Sequence, residues 1–423
     1  MDAMPIASVP PPRNEPVRVY APGSPDRAAL AAAVAEVAAQ APRPLPMHVA
    51  GLERQGSGAP FDVRAPHDRR RVLGSGREAE PADVAAAVDA ALAAAPGWAA
   101  AGPQARAAVF LRAADLLAGP WRDRMNAATI WGQSKSVHQA EIDAACELAD
   151  FWRWNAWFAE RLGDEQPVSP PGAWNRLELR PLEGFVLAIT PFNFTSIAGN
   201  LPTAPALMGN AVVWKPSPTQ QLSATVTMEL LEAAGLPAGV VNMVTGSGDA
   251  VSAVALRHRA LAGVHFTGST GTFRHLWRAV AEGLDGYATY PRLVGETGGK
   301  DFVLAHPSAD VDALLVGLLR GAFEYQGQKC SAASRAYVPR STWARLRGPL
   351  AEATESITMG DVSDLTTFLG AVIDGRAHDR LAAVLDAART DPGLRLVAGG
   401  ECDSAEGWFV RPTIYETADP RHD

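Results

Sequence analysis

The sequence predicts an α/β protein: a doubly wound parallel sheet followed by a second α/β unit. Three observations predict it. From residue 184, short apolar runs alternate with helical segments of 10 to 15 residues, the pattern of a parallel sheet covered on both faces. Each apolar run ends on polar or glycine-rich residues, and ligands in such sheets bind beyond the carboxyl ends of the strands. Residues 80–160 carry helical periodicity alone.

Taken in order, residues 1–75 are rich in Pro, Gly and Arg and read as an N-terminal arm, broken by one helical run, DRAALAAAVAEVAAQ (26–40). Residues 76–292 read as a nucleotide-binding unit. Its helices begin with PADVAAAVDAALAAA and ARAAVFLRAADLLAG. They end with AEIDAACELADFWRWNAWFAERLG, whose Ile142, Ala145, Leu148, Ala149 and Trp152 share one face. Trp152, Trp154 and Trp157 read as core. GFVLAIT, AVVWKP, VVNMVTG and GVHFTGS read as strands, each followed by a helix. Residues 293–423 read as the second α/β unit, which stops short of a natural domain end.

Net charge is −8 and the pI about 5.7. That argues against a nucleic-acid partner, which requires a basic face. No run approaches the roughly 20 apolar residues of a membrane span. The first residues lack the pattern of a secretory signal. Three Cys are too few and too odd in number for a disulfide framework, so the expected compartment is the cytoplasm. No metal-ligand spacing is present. All but four of the 38 basic residues are Arg. Lys135, Lys215, Lys300 and Lys329 are therefore positions where a compact ammonium is a candidate requirement.

Cys330, in EYQGQKCSAASR, has small polar neighbours and reads as an accessible thiol at a helix start. A helix N-terminus and the Lys329 ammonium would both favour the nucleophilic thiolate. Glu296, in VGETGGK, suits a general base beside bared backbone, though an ordinary loop carboxylate reads as well. Asn193, in TPFNFTS, suits an oxyanion donor, with a simple turn residue as the alternative. FTGSTGTF opens a helix with small residues, where a phosphate binds, and Lys215 could reach a ribose or phosphate.

TPFNF, WKPSP, FTGST, GETGGK and GQKCSA occur here in this order, and at these residues the chain resembles the aldehyde dehydrogenase superfamily. Longer runs (14–27, 132–155, 174–210, 266–277) resemble the branch that oxidises L-glutamate γ-semialdehyde. The resemblance implies an aldehyde dehydrogenase-like fold, with a catalytic domain that is incomplete here and lacks the hairpin that pairs subunits. It implies Cys330 as nucleophile, Asn193 as oxyanion donor and Glu296 as base. Lys215, Pro216 and Ser217, with Gly268, Ser269, Thr270, Gly271 and Thr272, would bind NAD. Phe194, Ser331, Lys329 and Glu141 would line the aldehyde site. It also implies a small-molecule aldehyde substrate, a homo-oligomer for the full-length protein and a proline dehydrogenase partner. KPSPTQQ lacks the acid that many relatives place after the Lys to select NAD. Succinate semialdehyde as substrate, and a non-catalytic truncated homologue, are the competing expectations.

Overall fold

A computed structural model of the chain describes residues 10–422; the expectation about the first residues falls largely outside that range. An extended stretch leads to helix α1 (Pro25–Gln40), whose Arg27 amide is capped by the Ser24 hydroxyl. Five strands follow: β1 (Arg43–Pro44), β2 (Met47–Val49), β3 (Leu52–Arg54), β4 (Pro60–Ala65) and β5 (Asp68–Arg77). Residues 1–75 are thus more than the expected arm. β2 and β3 extend the main sheet, while β1, β5 and β4 form a small sheet of their own.

Helices α2 (Pro81–Ala100), α3 (Pro103–Ala118), α4 (Arg122–Gln133), α5 (Val137–Ala140) and α6 (Glu147–Leu162) come next, with a π-helical turn, Glu141–Cys146, between the last two. Among the described residues no single helix is long and apolar enough to cross a membrane. Trp152 is buried as expected, its indole N–H donating to Thr203. Trp154 and Trp157 are only half-buried and form an aromatic rim with Phe158.

The alternating region follows its prediction: β6 (Phe185–Ile189), α7 (Thr195–Leu207), β7 (Ala211–Lys215), α8 (Gln221–Ala233), β8 (Val241–Met243), α9 (Gly248–Ala255), β9 (Leu261–Gly268), α10 (Thr270–Glu282) and β10 (Arg292–Thr297). The sheet runs β10-β9-β6-β7-β8-β2-β3, parallel from β10 to β8. Successive side chains of a strand point to opposite faces. Phe185, Leu187 and Ile189 accordingly join the core under α2, α9 and α10, while Val186 and Ala188 join the one under α3, α6 and α8. Burial on both faces is what makes these strands read as unbroken apolar runs.

β10 pairs with β9 along its whole length, Glu296 opposite Thr267. The strand that carries Glu296 therefore belongs to the nucleotide sheet, not to the unit expected from residue 293. Beyond it lie β11 (Asp301–Leu304), α11 (Val311–Phe323), a 3-10 turn (Glu324–Gly327), β12 (Ala333–Tyr337), α12 (Arg340–Glu355), α13 (Gly375–Thr390), β13 (Arg395–Ala398), β14 (Cys402–Asp403), β15 (Phe409–Val410) and β16 (Ile414–Glu416). β11 and β12 pair in parallel, while β13 with β16 and β14 with β15 pair antiparallel.

Candidate active site

Cys330 lies in a turn between the 3-10 segment and β12, not at a helix start. What precedes it is a tight loop. Tyr325, Gln326 and Gly327 all have left-handed backbone, φ 50°, 54° and 68°. Two non-glycine residues in that region carry strain, which persists only where surroundings fix it. Here the Gln326 side-chain amide donates to the carbonyls of Ala371 (2.6 Å) and Ser134 (3.3 Å). The Gln328 side chain accepts from the Ile373 amide at 3.0 Å.

The GETGGK turn closes on the same point. Cys330 Sγ lies 3.7 Å from Glu296 Oε1. A side chain at Gly299 would place Cβ 2.7 Å from the Cys330 carbonyl oxygen, and one at Gly295 would place it 2.2 Å from the Phe273 ring. Both glycines therefore serve close approach. Burial, and then the facing Glu296 carboxylate, push the Cys330 thiol up from its ordinary value. The expected thiolate-favouring setting is not what surrounds this sulfur. Lys329 spends much of its charge elsewhere, on Asp143 Oδ2 (3.2 Å) and Glu324 Oε2 (3.6 Å).

Asn193 follows β6 and donates from Nδ2 to the Gln328 carbonyl at 2.8 Å. Its amide has a second N–H, held beside the Cys330 turn. Phe194 next to it is buried, with the ammoniums of Lys135 and Lys329 at 4.6 and 5.6 Å from its ring centre. Ser331 is exposed.

Glu141 is the expectation that the structure corrects. It is fully buried and faces the N-terminal stretch, not the aldehyde site. It accepts from the Arg18 amide, the Tyr20 hydroxyl and Asn126 Nδ2, each at 2.8 Å, and pairs with the Arg122 guanidinium. The acid that reaches the site from this segment is Asp143, which also accepts from Lys135 Nζ at 2.6 Å. Glu147, on the next turn, holds the Ser196 hydroxyl at the start of α7. Reasoning from sequence missed both acids and Lys135, although the rarity of Lys singled out position 135.

At the same sheet edge, Lys215 ends β7. It is only 7% exposed, and its ammonium has no hydrogen-bond or ion-pair partner among the described residues. Burial lowers its ammonium to about 8, against the more distant pull of Asp249 and Glu78. Ser217 and Thr219 share a hydrogen bond in the turn after Pro216. Ser269 caps α10, accepting from the Thr272 amide at 3.1 Å. The helix start Thr270–Gly271–Thr272 is exposed, and free amides at a helix N-terminus suit a phosphate. An unpaired ammonium and that helix start, on the same edge of the parallel sheet, fit the ribose and pyrophosphate of a dinucleotide. Among the described residues, no group of three or more His, Cys, Asp or Glu side chains could hold a metal ion.

Comparison with known proteins agrees with this geometry. Residues 53–423 match the aldehyde dehydrogenase family. The chain is 47% identical over 412 residues to a mitochondrial delta-1-pyrroline-5-carboxylate dehydrogenase of Emericella nidulans, covering 97% of this chain and 72% of that protein. It is 46% identical to the mitochondrial enzyme of Mus musculus, covering 96% and 72%. The crystal structure of the Mycobacterium tuberculosis delta-pyrroline-5-carboxylate dehydrogenase bound with NAD superposes with a TM-score of 0.97 at 56% identity. That match covers 100% of this chain and 78% of that one. The expected cytoplasmic location is overturned by the relatives' names, which are mitochondrial in fungus and mammal alike. The expected fold class is borne out. On the family match and on relatives this similar over nearly its whole length, the chain belongs to the aldehyde dehydrogenase family.

Proposed function

We propose a division of labour around one observation, the Cys330 thiol and the Glu296 carboxylate 3.7 Å apart beside the Asn193 amide. The chain is an NAD-dependent dehydrogenase that oxidises L-glutamate γ-semialdehyde to L-glutamate, a step of proline catabolism. Cys330 is the nucleophile. Its thiol is held protonated by burial and by Glu296, so attack requires the proton to leave, and Glu296 is the acceptor within reach. The sulfur adds to the aldehyde carbon. Negative charge then develops on the aldehyde oxygen, where the second Asn193 N–H and the Cys330 backbone N–H donate. Bound NAD supplies the acceptor for the hydride that leaves the resulting thiohemiacetal. Glu296, once it has given its first proton to solvent, takes a proton from the water that cleaves the thioester; glutamate is freed, Cys330 leaves as thiolate, and the proton on Glu296 can return to it.

Lys215, Pro216 and Ser217 hold the ribose end of NAD, and Gly268–Thr272 its pyrophosphate. Residues 1–75, 76–292 and 293–423 remain the proposed functional division, with Glu296 contributed by a strand of the nucleotide sheet. Phe194, Lys329 and Ser331 line the aldehyde site. Exposed apolar side chains at Val168, Trp174, Leu177 and Leu179 support a homo-oligomer, since apolar surface of this kind marks contacts. A proline dehydrogenase is the proposed upstream partner. In support, the chain is 29% identical to proline utilization A of Bdellovibrio bacteriovorus, with a TM-score of 0.86 and coverage of 95% of this chain and 41% of that one.

The test is NADH formation with glutamate semialdehyde, with succinate semialdehyde as competitor and Cys330→Ala as control. Turnover that prefers the former and vanishes in the variant supports the assignment. Equal use of both aldehydes, or turnover that survives the substitution, overturns it.

A further inference from the structure

Two ammoniums meet one carboxylate behind the nucleophile. Asp143 Oδ2 lies 2.6 Å from Lys135 Nζ and 3.2 Å from Lys329 Nζ. Lys135 is fully buried and sits against two rings, 4.6 Å from the centre of Phe194 and 4.3 Å from that of Tyr325. Lys329, the residue before Cys330, also lies against Phe194 and within 3.6 Å of Glu324. Asp143 stands on the π-helical turn, and such turns recur at functional sites.

We propose that Lys135 is a positioning residue for the nucleophile: by sharing Asp143 with Lys329, it leaves the Lys329 ammonium, on the residue before Cys330, less neutralised by that carboxylate. The argument is one of charge partition. With two cations on Asp143, neither is fully neutralised by it. Without Lys135, Asp143 belongs to Lys329 alone, and the positive potential at Cys330 falls. The inference rests on Cys330 being the reactive thiol.

Several charged or titratable groups face this region. Glu296 faces the thiol, Lys329 precedes it in the chain, and the Asp301 carboxylate lies on the same side of Gly299 as the Cys330 carbonyl. Behind Lys329 are Asp143 and Glu324, the latter also paired with Arg320. Behind Lys135 are Glu147 and the Tyr325 phenol. Among the described residues Asp143 is the only acid paired with both lysines, so changes at Lys135 and at Asp143 must act with opposite sign.

The test follows iodoacetamide labelling of Cys330 against pH, read by mass spectrometry on the full chain. Exposed Cys402 is the internal reference. Lys135→Met should raise the labelling midpoint of Cys330 by roughly half a unit, Asp143→Asn should lower it by about as much, and the double variant should return close to wild type. Cys402 should not move. A role confined to packing would slow labelling at every pH without moving the midpoint. Midpoints that stay fixed, or that move in the same direction in both single variants, overturn the proposal. If Lys135→Met does not fold, Asp143→Asn decides alone, and the absence of a fall overturns the inference. The nucleophile reading fails separately, if complete labelling of Cys330 leaves NADH formation intact.

Discussion

Glu141→Gln separates two readings of the long helix. One places this acid at the aldehyde, the other in the lock that fastens the N-terminal stretch. In the structure the carboxylate is 0% exposed and takes five donors: the Arg18 amide, the Tyr20 hydroxyl, Asn126 Nδ2, the Arg122 guanidinium and the Cys146 thiol. Arg122 is itself 1% exposed and retains only Glu15, at 2.6 Å, as a second acid. Breaking a buried pair by neutralising one partner costs about 3–5 kcal/mol, because the other charge stays behind without compensation. Urea denaturation at pH 7 should show a loss of that size, and limited proteolysis should cut residues 13–20 first. KM for the aldehyde should stay within about twofold at a temperature where the variant is folded. The pH dependence carries the same signature. Burial alone would raise the Glu141 carboxyl, but hydrogen bonds from Arg122, the Arg18 amide and Tyr20 hold it below 4.5. A depressed carboxylate contributes stability above its unfolded value and loses it as pH falls through its folded value. Wild type should lose this increment below about pH 4.5, and Glu141→Gln should not. Unchanged stability together with a raised KM would refute the lock and return Glu141 to the substrate.

Three further outcomes follow from the geometry. Glu296→Gln should slow both the attack, whose proton Glu296 accepts, and thioester cleavage, so rapid mixing should show a slowed release of one NADH per site followed by turnover about a hundredfold slower; a burst at the wild-type rate would assign Glu296 to hydrolysis alone. Gly299→Ala should push the Cys330 carbonyl, 2.7 Å from the new Cβ, and lower kcat by about 10–100-fold with little change in melting temperature; wild-type kcat would show that the turn yields freely. Burial lowers His67 from 6.5 to about 4 despite Asp361 and Asp68 nearby, so the unfolded chain takes this proton first and stability should fall by up to about 3 kcal/mol between pH 6.5 and 4; melting curves of His67→Gln should have a flatter slope there, and an identical slope would exclude this histidine as the cause.

The parallel sheet was legible because β6 and β7 are buried on both faces and read as unbroken apolar runs between helices. The strands at 43–54 were not. They are two or three residues long, β3 is exposed throughout, and their pairing is set by the neighbouring sheet edge, not by their own pattern. Assigning Glu141 to the aldehyde site failed for a geometric reason. The run from 137 to 162 looks like one amphipathic helix, but the π-turn at 141–146 changes the number of residues per turn. Side chains on its two sides therefore keep different phase, and Asp143 and Glu147 point where a regular helix would not suggest. The Cys330 loop was half legible. Gly327 announces a turn, but nothing local announces left-handed backbone at Tyr325 and Gln326. That conformation is fixed by Ala371 and Ser134, distant in sequence.

The distribution of lysine now has a physical reading. This chain places Arg even where a cation is deeply buried, where the acceptors suit a planar fork. Arg122 is the case in point: its fork spans Glu15 and Glu141 together, a geometry that an ammonium cannot match. Position 135 poses the opposite problem. Its cation must fit between the faces of Phe194 and Tyr325 and still reach one oxygen of Asp143. A compact point charge does this, while a planar guanidinium would displace one ring or the other. Because Phe194 also borders Lys329, a displaced ring would disturb the turn that carries Cys330. Lys215 faces a similar constraint, since it ends a strand buried on both faces and presents a single cation at the sheet edge. In a chain this biased toward Arg, a retained Lys marks a place where the shape of the cation, and not its charge alone, is under demand.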